Sequence, residues 1–306
     1  MNNQEKNIKI WAENMEGYKL LDSGEKEKLE EINGQKIVRA EPRAWWNKKI
    51  ESSKYLVVKE EQKKGFETII NIGIGNIKAK IKFKNTSKHI GIFPEQFSEW
   101  KWIKEKIASS NHLVAREISV LNLFGYTGIA SLVAASAGLP REAGAKWGAK
   151  VTHVDASKQS VEWARENQKL SGLENTPIRW IVDDVLKFIK KEAKQGKRYD
   201  AIIMDPPQFG KGPKGEVWKI EEKLPELLSV CREILSNEPL FIIFNMYSTE
   251  LSSISVANLL SDMTKNLDGI VESGELAIKQ KNFYSDRNVG AERLLPMSIF
   301  ALWNTK

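Results

Sequence analysis

Residues 119–128 read SVLNLFGYTG, a short apolar run that ends in two glycines three positions apart. An apolar run closed by polar turn residues returns as VTHVDAS (151–157), IRWIVDD (178–184) and YDAIIMDPP (199–207). Stretches with helical spacing follow these runs, at 128–137, 157–171, 184–195 and 219–235. LFIIFNMY (240–247) reads as a further strand and 251–266 as a further helix; two last strands are expected near 270–279 and 297–303. Strand–helix alternation implies parallel strands joined by crossovers, with helices on both faces. The expectation is an α/β chain built on a seven-stranded, mostly parallel sheet. Ligands of such sheets bind outside the carboxyl ends of the strands, near the switch point.

Upstream the pattern is different. Tyr18–Asp22, Lys28–Ile32 and Gln35–Arg39 read as short strands, and Asn33-Gly34 between the last two is a two-residue hairpin signal. Pro42 closes this unit, and residues 43–64 read as basic and irregular. IKAKIKFK (77–84) alternates Ile77, Ala79, Ile81 and Phe83 with Lys78, Lys80, Lys82 and Lys84, which is a strand with one apolar and one lysine face. That lysine face is either solvated or a surface that follows nucleic-acid phosphates, because aligned like charges need compensation. Phe97, Trp100, Ile103 and Ile107 then have helical spacing. The chain divides on this reading into a small β-rich basic region, 1–86, and a larger α/β domain, 87–306.

The composition narrows the function classes. No stretch of eighteen uncharged apolar residues occurs, so no membrane span is expected. The first residues lack the apolar core of a secretory signal. One cysteine, Cys231, allows no internal disulfide, and three dispersed histidines offer no metal pair, so a reducing, cytoplasmic setting without metal is expected. Net charge is +7, which points weakly to a polyanionic partner such as RNA. The ten tryptophans are expected in the core, although Trp45, Trp46, Trp100 and Trp102 have lysine neighbours.

The strand ends carry the chemistry. Gly125 and Gly128 let the backbone turn tightly and approach a ligand. The loop is not G-x-G-x-x-G, and no G-x-x-x-x-G-K-[ST] occurs, which counts against hydride transfer on NAD and phosphoryl transfer on a P-loop. Asp155 can take the two hydroxyls of a ribose or cap the next helix, and Asp183-Asp184 offers an acceptor for a base amine or, again, a cap. Asp205-Pro206-Pro207-Gln208-Phe209 is the most specific signal. Its prolines fix the backbone and remove two N–H donors, so the turn presents acceptors, and Phe209 adds a flat face.

Taken in order, these motifs resemble the Rossmann-like class I S-adenosylmethionine (SAM) methyltransferases. More narrowly, they resemble bacterial 23S ribosomal RNA methyltransferases of cytosine carbon-5 or guanine nitrogen-7. The resemblance rests on Gly91-Ile-Phe93-Pro-Glu95-Gln96, NLFGYTG, VDAS, Asp184-Val185 and DPPQF, across roughly residues 88–250. It implies S-adenosyl-L-methionine as cofactor and Phe93, Asn122, Phe124, Gly125, Tyr126, Gly128, Asp155, Ala156, Asp183 and Asp184 as its binding residues. Asn122, Phe124, Gly125, Tyr126 and Gly128 would line its methionine part, Asp155 would hold the ribose and Asp184 the adenine amine. Asp205, Pro206, Pro207 and Phe209 would surround the reacting atoms.

One departure matters. Carbon-5 methylation needs a thiolate to attack the neighbouring ring carbon. The related carbon-5 enzymes carry that cysteine where the fifth strand ends, and here that strand ends Phe244-Asn245-Met246-Tyr247-Ser248. Cys231 instead falls in LPELLSVCREIL, on the apolar side of a helix. No clear PUA-type RNA-binding domain precedes the sheet. Transfer to nitrogen in ribosomal RNA is therefore the expectation. A protein or small-molecule acceptor, or an RNA-binding module without catalysis, are the alternatives. The oligomeric state is not legible.

Overall fold

The computed structural model describes residues 8–84, 89–110, 117–138, 148–247, 250–281 and 293–306. In chain order these form β1 (Lys9–Trp11), β2 (Tyr18–Gly24), β3 (Glu27–Ile32), β4 (Gln35–Ala40), α1 (Ser52–Glu61), β5 (Phe66–Asn71), β6 (Lys78–Phe83) and α2 (Phe97–Ser110). Then come β7 (Ser119–Leu123), α3 (Ile129–Ser136), β8 (Lys150–Asp155), α4 (Lys158–Leu170), β9 (Ile178–Val182), α5 (Val185–Lys194) and β10 (Ala201–Met204). The chain ends with β11 (Phe209–Lys211), β12 (Val217–Lys219), α6 (Ile220–Glu233), β13 (Phe241–Met246), α7 (Ser253–Thr264), β14 (Gly269–Lys279) and β15 (Leu294–Thr305).

The large sheet has the order β1-β14-β15-β13-β10-β7-β8-β9. Only β15 runs against its neighbours, β13 and β14. The seven expected strands are all present, and β1 adds an eighth at the edge, parallel to β14. The central strands β10 and β13 are buried along their whole length, in keeping with the apolar runs Ala201–Met204 and Phe241–Phe244. One face of the sheet packs α2, α3, β5 and β6 into a single core; the other packs α5, α6 and α7. Chain order reverses between β7 and β10, so the switch point lies where the glycine turn and Asp205 emerge.

The upstream strands β2, β3 and β4 form the expected antiparallel sheet, with Asn33 and Gly34 at the turn. Its interior holds an ion pair, Arg39 Nε to Glu30 Oε2 at 2.6 Å, and Tyr18 donates to the same carboxylate at 2.8 Å. Residues 43–64 are not irregular throughout, because Ser52–Glu61 is helical. That helix buries only Tyr55 and Val58 and leaves Leu56 and Val57 exposed, so no apolar period marked it. The lysine strand β6 pairs with β5 in a separate hairpin.

Candidate functional site at the strand ends

The loop after β7 is strained. Phe124 (φ 57°) and Tyr126 (φ 49°) both adopt left-handed backbone, which costs a non-glycine residue on the order of 1 kcal/mol or more. The surroundings enforce it. The Gly125 amide donates to Val154 O at 3.2 Å, the Tyr126 amide to Asp155 Oδ2 at 2.8 Å, and Thr127 Oγ1 to Gly91 O at 2.7 Å. A Cβ on Gly125 would lie 2.4 Å from the His153 ring, and one on Gly128 (φ 80°) 2.8 Å from Ala164 Cβ. Both glycines are thus required by close approach to the protein itself. His153 is fully buried beneath the turn, with Nδ1 3.0 Å from Ser131 Oγ. Burial pulls its pKa down to about 3, so it is neutral packing and not a titrating group.

Asp155 does not cap the next helix. Ser157 does, accepting from the Ser160 amide at 3.1 Å. The Asp155 carboxylate accepts from the Tyr126 amide and, through Oδ1, from the Ser157 amide at 2.8 Å. Burial raises its pKa despite those bonds. Half-buried Ala156 follows it. At the next strand end the capping alternative is realised: Asp184 Oδ1 accepts from the Lys187 amide at 2.9 Å at the start of α5. Asp183 Oδ1 accepts from the Asp184 amide at 2.9 Å.

Asp205 follows β10, and its Oδ2 accepts from Gln96 Nε2 at 2.9 Å. The same amide nitrogen reaches Tyr247 Oη at 3.1 Å. Burial pushes the Asp205 carboxyl up to about 7, against the Gln96 bond. Pro206 is buried, and the Pro207 carbonyl accepts from the Trp218 indole. Trp218 packs on Phe124, with ring centroids 4.9 Å apart. Phe209 begins β11, opposite Lys219 of β12, and is 58% exposed.

One pocket gathers Phe93, Asn122, Phe124, Gly125, Tyr126 and Asp205. Phe209 stands outside it on the β11–β12 hairpin, while Gly128, Asp155, Ala156, Asp183, Asp184, Pro206 and Pro207 are not among its lining residues. Sequence reasoning missed Glu99 and Trp100 of α2 and Thr127, and it gave Asn245 no firm role; all four line the pocket. Asn245 Nδ2 donates to both oxygens of Glu99, at 3.0 and 2.8 Å. Burial pushes the Glu99 carboxyl up to about 8. Buried Ser98 and Glu99 beside the apolar stripe of α2 were the available signal.

Two lysines of the β6 face are compensated within the protein. Lys80 pairs with Glu166 at 2.7 Å and Glu67 at 3.1 Å, and Lys82 pairs with Glu166 at 3.4 Å. Lys82 also lies over the Trp163 ring. For Lys80 and Lys82 the need for an outside anion therefore loses its basis, while Lys78 and Lys84 are the exposed members.

A cationic ligand would meet two carboxyls here, which burial keeps partly protonated in the empty pocket. Among the described residues its lining contains Glu99 and Asp205 but no lysine, arginine or histidine. It also leaves Trp100 Nε1 and Asn245 Oδ1 buried without hydrogen-bond partners. A sulfonium-bearing cofactor with an amino-acid end meets both conditions. The sheet order, the glycine turn at its switch point and this acidic pocket define a class I methyltransferase fold.

The chain belongs to the S-adenosylmethionine-dependent methyltransferase family, whose sequence pattern matches residues 70–243. The SAM dependent methyltransferase from Agrobacterium tumefaciens, a solved structure, is 35% identical with a TM-score of 0.86, and the match covers 99% of this chain and 95% of that one. A putative methyltransferase solved in complex with SAH shares the fold at 16% identity and TM-score 0.64, over 95% of this chain and 76% of that one. Ribosomal RNA large subunit methyltransferase I of Klebsiella pneumoniae (strain 342) is 34% identical over 113 residues, 37% of this chain. The matched stretch spans only 23% of that relative's length. The cofactor is S-adenosylmethionine. No helix among the described residues is long and apolar enough to cross a membrane.

Proposed function

We propose that this protein methylates a nitrogen atom of a base in ribosomal RNA. The observation that carries the choice of nitrogen is Cys231, the only cysteine. It is fully buried in α6, in the core on the α5–α7 face of the sheet, and burial pushes its thiol pKa up. The end of β13 offers Asn245 instead of a thiol. RNA as the acceptor is supported by the relatives named as ribosomal RNA methyltransferases.

When bound, the cofactor supplies an electrophilic methyl group on its sulfonium. The protein's part is alignment. Asp155 holds the ribose, and Asp183 and Asp184 flank the adenine. The left-handed turn at Phe124–Tyr126 brings backbone close to the cofactor. Asp205 accepts an N–H of the target amine and draws its lone pair out of conjugation. The Pro206 carbonyl is assigned the second acceptor role, since Pro207's is engaged by Trp218. The nitrogen must lose a proton once alkylated, and a carboxyl near pH 7 can take it. Phe209, exposed on the hairpin, offers its face to the target base or its neighbour.

The test is mass mapping of ribosomal RNA from a strain lacking the gene, followed by methylation of that RNA with purified protein. One lost methyl on a base nitrogen, restored in vitro, is expected. An unchanged methylation map would overturn the RNA reading, and a carbon-5 methyl would overturn the choice of nitrogen.

A further inference from the structure

Asp205 takes its side-chain hydrogen bond from Gln96, and Gln96 is itself held. It closes a single helical turn, Pro94–Gln96, just ahead of α2, and is buried. Its Nε2 donates to Asp205 Oδ2 at 2.9 Å and to Tyr247 Oη at 3.1 Å. A side-chain amide has two N–H donors, so both are spent. Turning the amide over would set Gln96 Oε1 against the Asp205 carboxylate. Tyr247, accepting from Gln96, has its own proton to give, and it gives it to the buried carboxyl of Glu95. The Phe93 ring packs beside Tyr247, with centroids 5.4 Å apart. Lys28 and Arg39 of the small sheet face Glu95 and favour its anion. Only the fold assembles this row, since Gln96 is 109 residues from Asp205 and 151 from Tyr247.

We propose that Gln96 is a positioning residue for methyl transfer: its amide, kept in one orientation by the Tyr247 hydroxyl, pins Oδ2 of Asp205 and leaves Oδ1 for the target N–H. This rests on the role given to Asp205 above and deepens it. The terminal torsion of an aspartate is broad, so a buried carboxyl without a donor has no fixed place for its two oxygens. Asp205 lines the pocket, and with Oδ2 occupied Oδ1 is the oxygen left for a ligand. The neighbours Glu95 and Gln96 act on Asp205 in opposite senses. The Gln96 bond favours its anion, and the Glu95 charge opposes it. Glu99 of α2 and Tyr247 are the other titratable groups that face Asp205. The row Glu95–Tyr247–Gln96–Asp205 thus sets both where the acceptor oxygen stands and the pH at which it is ionised. It also ties the small upstream sheet, through Lys28 and Arg39, to the reacting end of the pocket.

The experiment reads Asp205 directly. Wild type, Gln96→Leu, Tyr247→Phe, Glu95→Gln and Asp205→Asn are prepared with aspartate labelled at the carboxyl carbon; the Asp205 resonance is the one missing from Asp205→Asn. Its NMR titration, the pH profile of single-turnover methyl transfer and the S-adenosylhomocysteine affinity are measured on each. The wild-type midpoint is expected near pH 7. Gln96→Leu removes a bond to the anion, so the midpoint and the rising limb of the rate should move to higher pH. Its plateau rate should fall by about tenfold or more, the scale of a misplaced reacting group. Tyr247→Phe lets the amide turn and should move both the same way by less. Glu95→Gln keeps an acceptor for Tyr247 but removes a charge, so both should move to lower pH. S-adenosylhomocysteine affinity should stay within error throughout, which reports folded protein and separates positioning from cofactor contact. An unmoved midpoint in Gln96→Leu would overturn the proposal, and so would a rate and an affinity that fall together. A limb lost in Asp205→Asn but unchanged in Gln96→Leu would overturn it and spare the role of Asp205. A wild-type profile in Asp205→Asn would overturn both. Absence of transfer by wild type would strike the RNA reading alone, and the titration would still decide this one.

Discussion

The Trp218 indole donates to the Pro207 carbonyl at 2.5 Å. The turn after β10 is thereby closed by the hairpin that follows it, and the Gln208 carbonyl, accepting from the Ile220 amide at 3.0 Å, adds a second tie. Since Trp218 also packs on Phe124, the two loops that meet at the switch point are braced by one ring. Trp218→Phe keeps an aromatic ring and removes the hydrogen bond. Single-turnover methyl transfer should slow several-fold, while S-adenosylhomocysteine affinity changes less than twofold.

Asp155, proposed above to hold the ribose, also fixes the turn, because its carboxylate accepts from the Tyr126 amide. Asp155→Ala removes the acceptor and also releases a left-handed residue. Calorimetry should show S-adenosylhomocysteine binding weakened at least tenfold. Asp155→Asn, which keeps one acceptor oxygen, should retain part of the affinity.

Two pocket carboxyls set a pH dependence. Burial raises Glu99 to about 8 and Asp205 to about 7, above the ordinary range near 4. The folded protein therefore holds protons that the unfolded chain releases. Their contribution to stability is full below about pH 4 and is lost as pH climbs through 7 and 8. Melting curves of ligand-free protein should show this decline, and Glu99→Gln should flatten it between pH 5 and 8. The transfer rate should follow the opposite sign, rising as Asp205 ionises around pH 7, and Asp205→Asn should abolish that limb.

Cys231 should be dispensable for chemistry. Cys231→Ala opens a small gap in the α6 core and should cost about 1 kcal/mol in denaturant unfolding. Methyl transfer by the folded variant should match wild type. Complete loss, with an RNA adduct on the wild-type protein, would restore carbon-5 chemistry.

Lys78 and Lys84 are the members of the lysine strand to test against RNA. Reversing both to Glu should flatten the dependence of log affinity on log salt by about two units if each meets a phosphate. S-adenosylhomocysteine affinity should not change. Reversing Lys80 and Lys82 would confound the result, because it sets like charges against Glu166.

The legible part of the fold was what neighbours in sequence decide. β7, β8, β9, β10 and β13 follow from their apolar runs, and the glycine turn, Asp155 and Asp205 follow from standing at the ends of those runs. The hairpin β11–β12 was not legible, since Gly210-Lys211-Gly212-Pro213-Lys214-Gly215 reads as loop until Trp218 folds it back. That hairpin places Phe209 outside the lining of the pocket, on the exposed side of the site. Glu99 and Asn245 are 146 residues apart, and only the sheet brings them together. The ion pairs of β6 were hidden in the same way, because Glu166 belongs to α4.

β1 pairs with β14, Lys9 opposite Gly274 and Trp11 opposite Leu276, and Trp11 rests on Phe300 with ring centroids 4.6 Å apart. A ribosome releases these early residues long before their partners, and contacts so distant in sequence form slowly. Until β14 and β15 are made, Trp11 has Trp102 of α2 as a neighbour but lacks Phe300, and the outer edge of the sheet does not yet exist. The pairing of β1 therefore cannot form before the newest strands are made. A nascent chain halted before β14 would leave half-buried Trp11 without Phe300, its nearer aromatic neighbour.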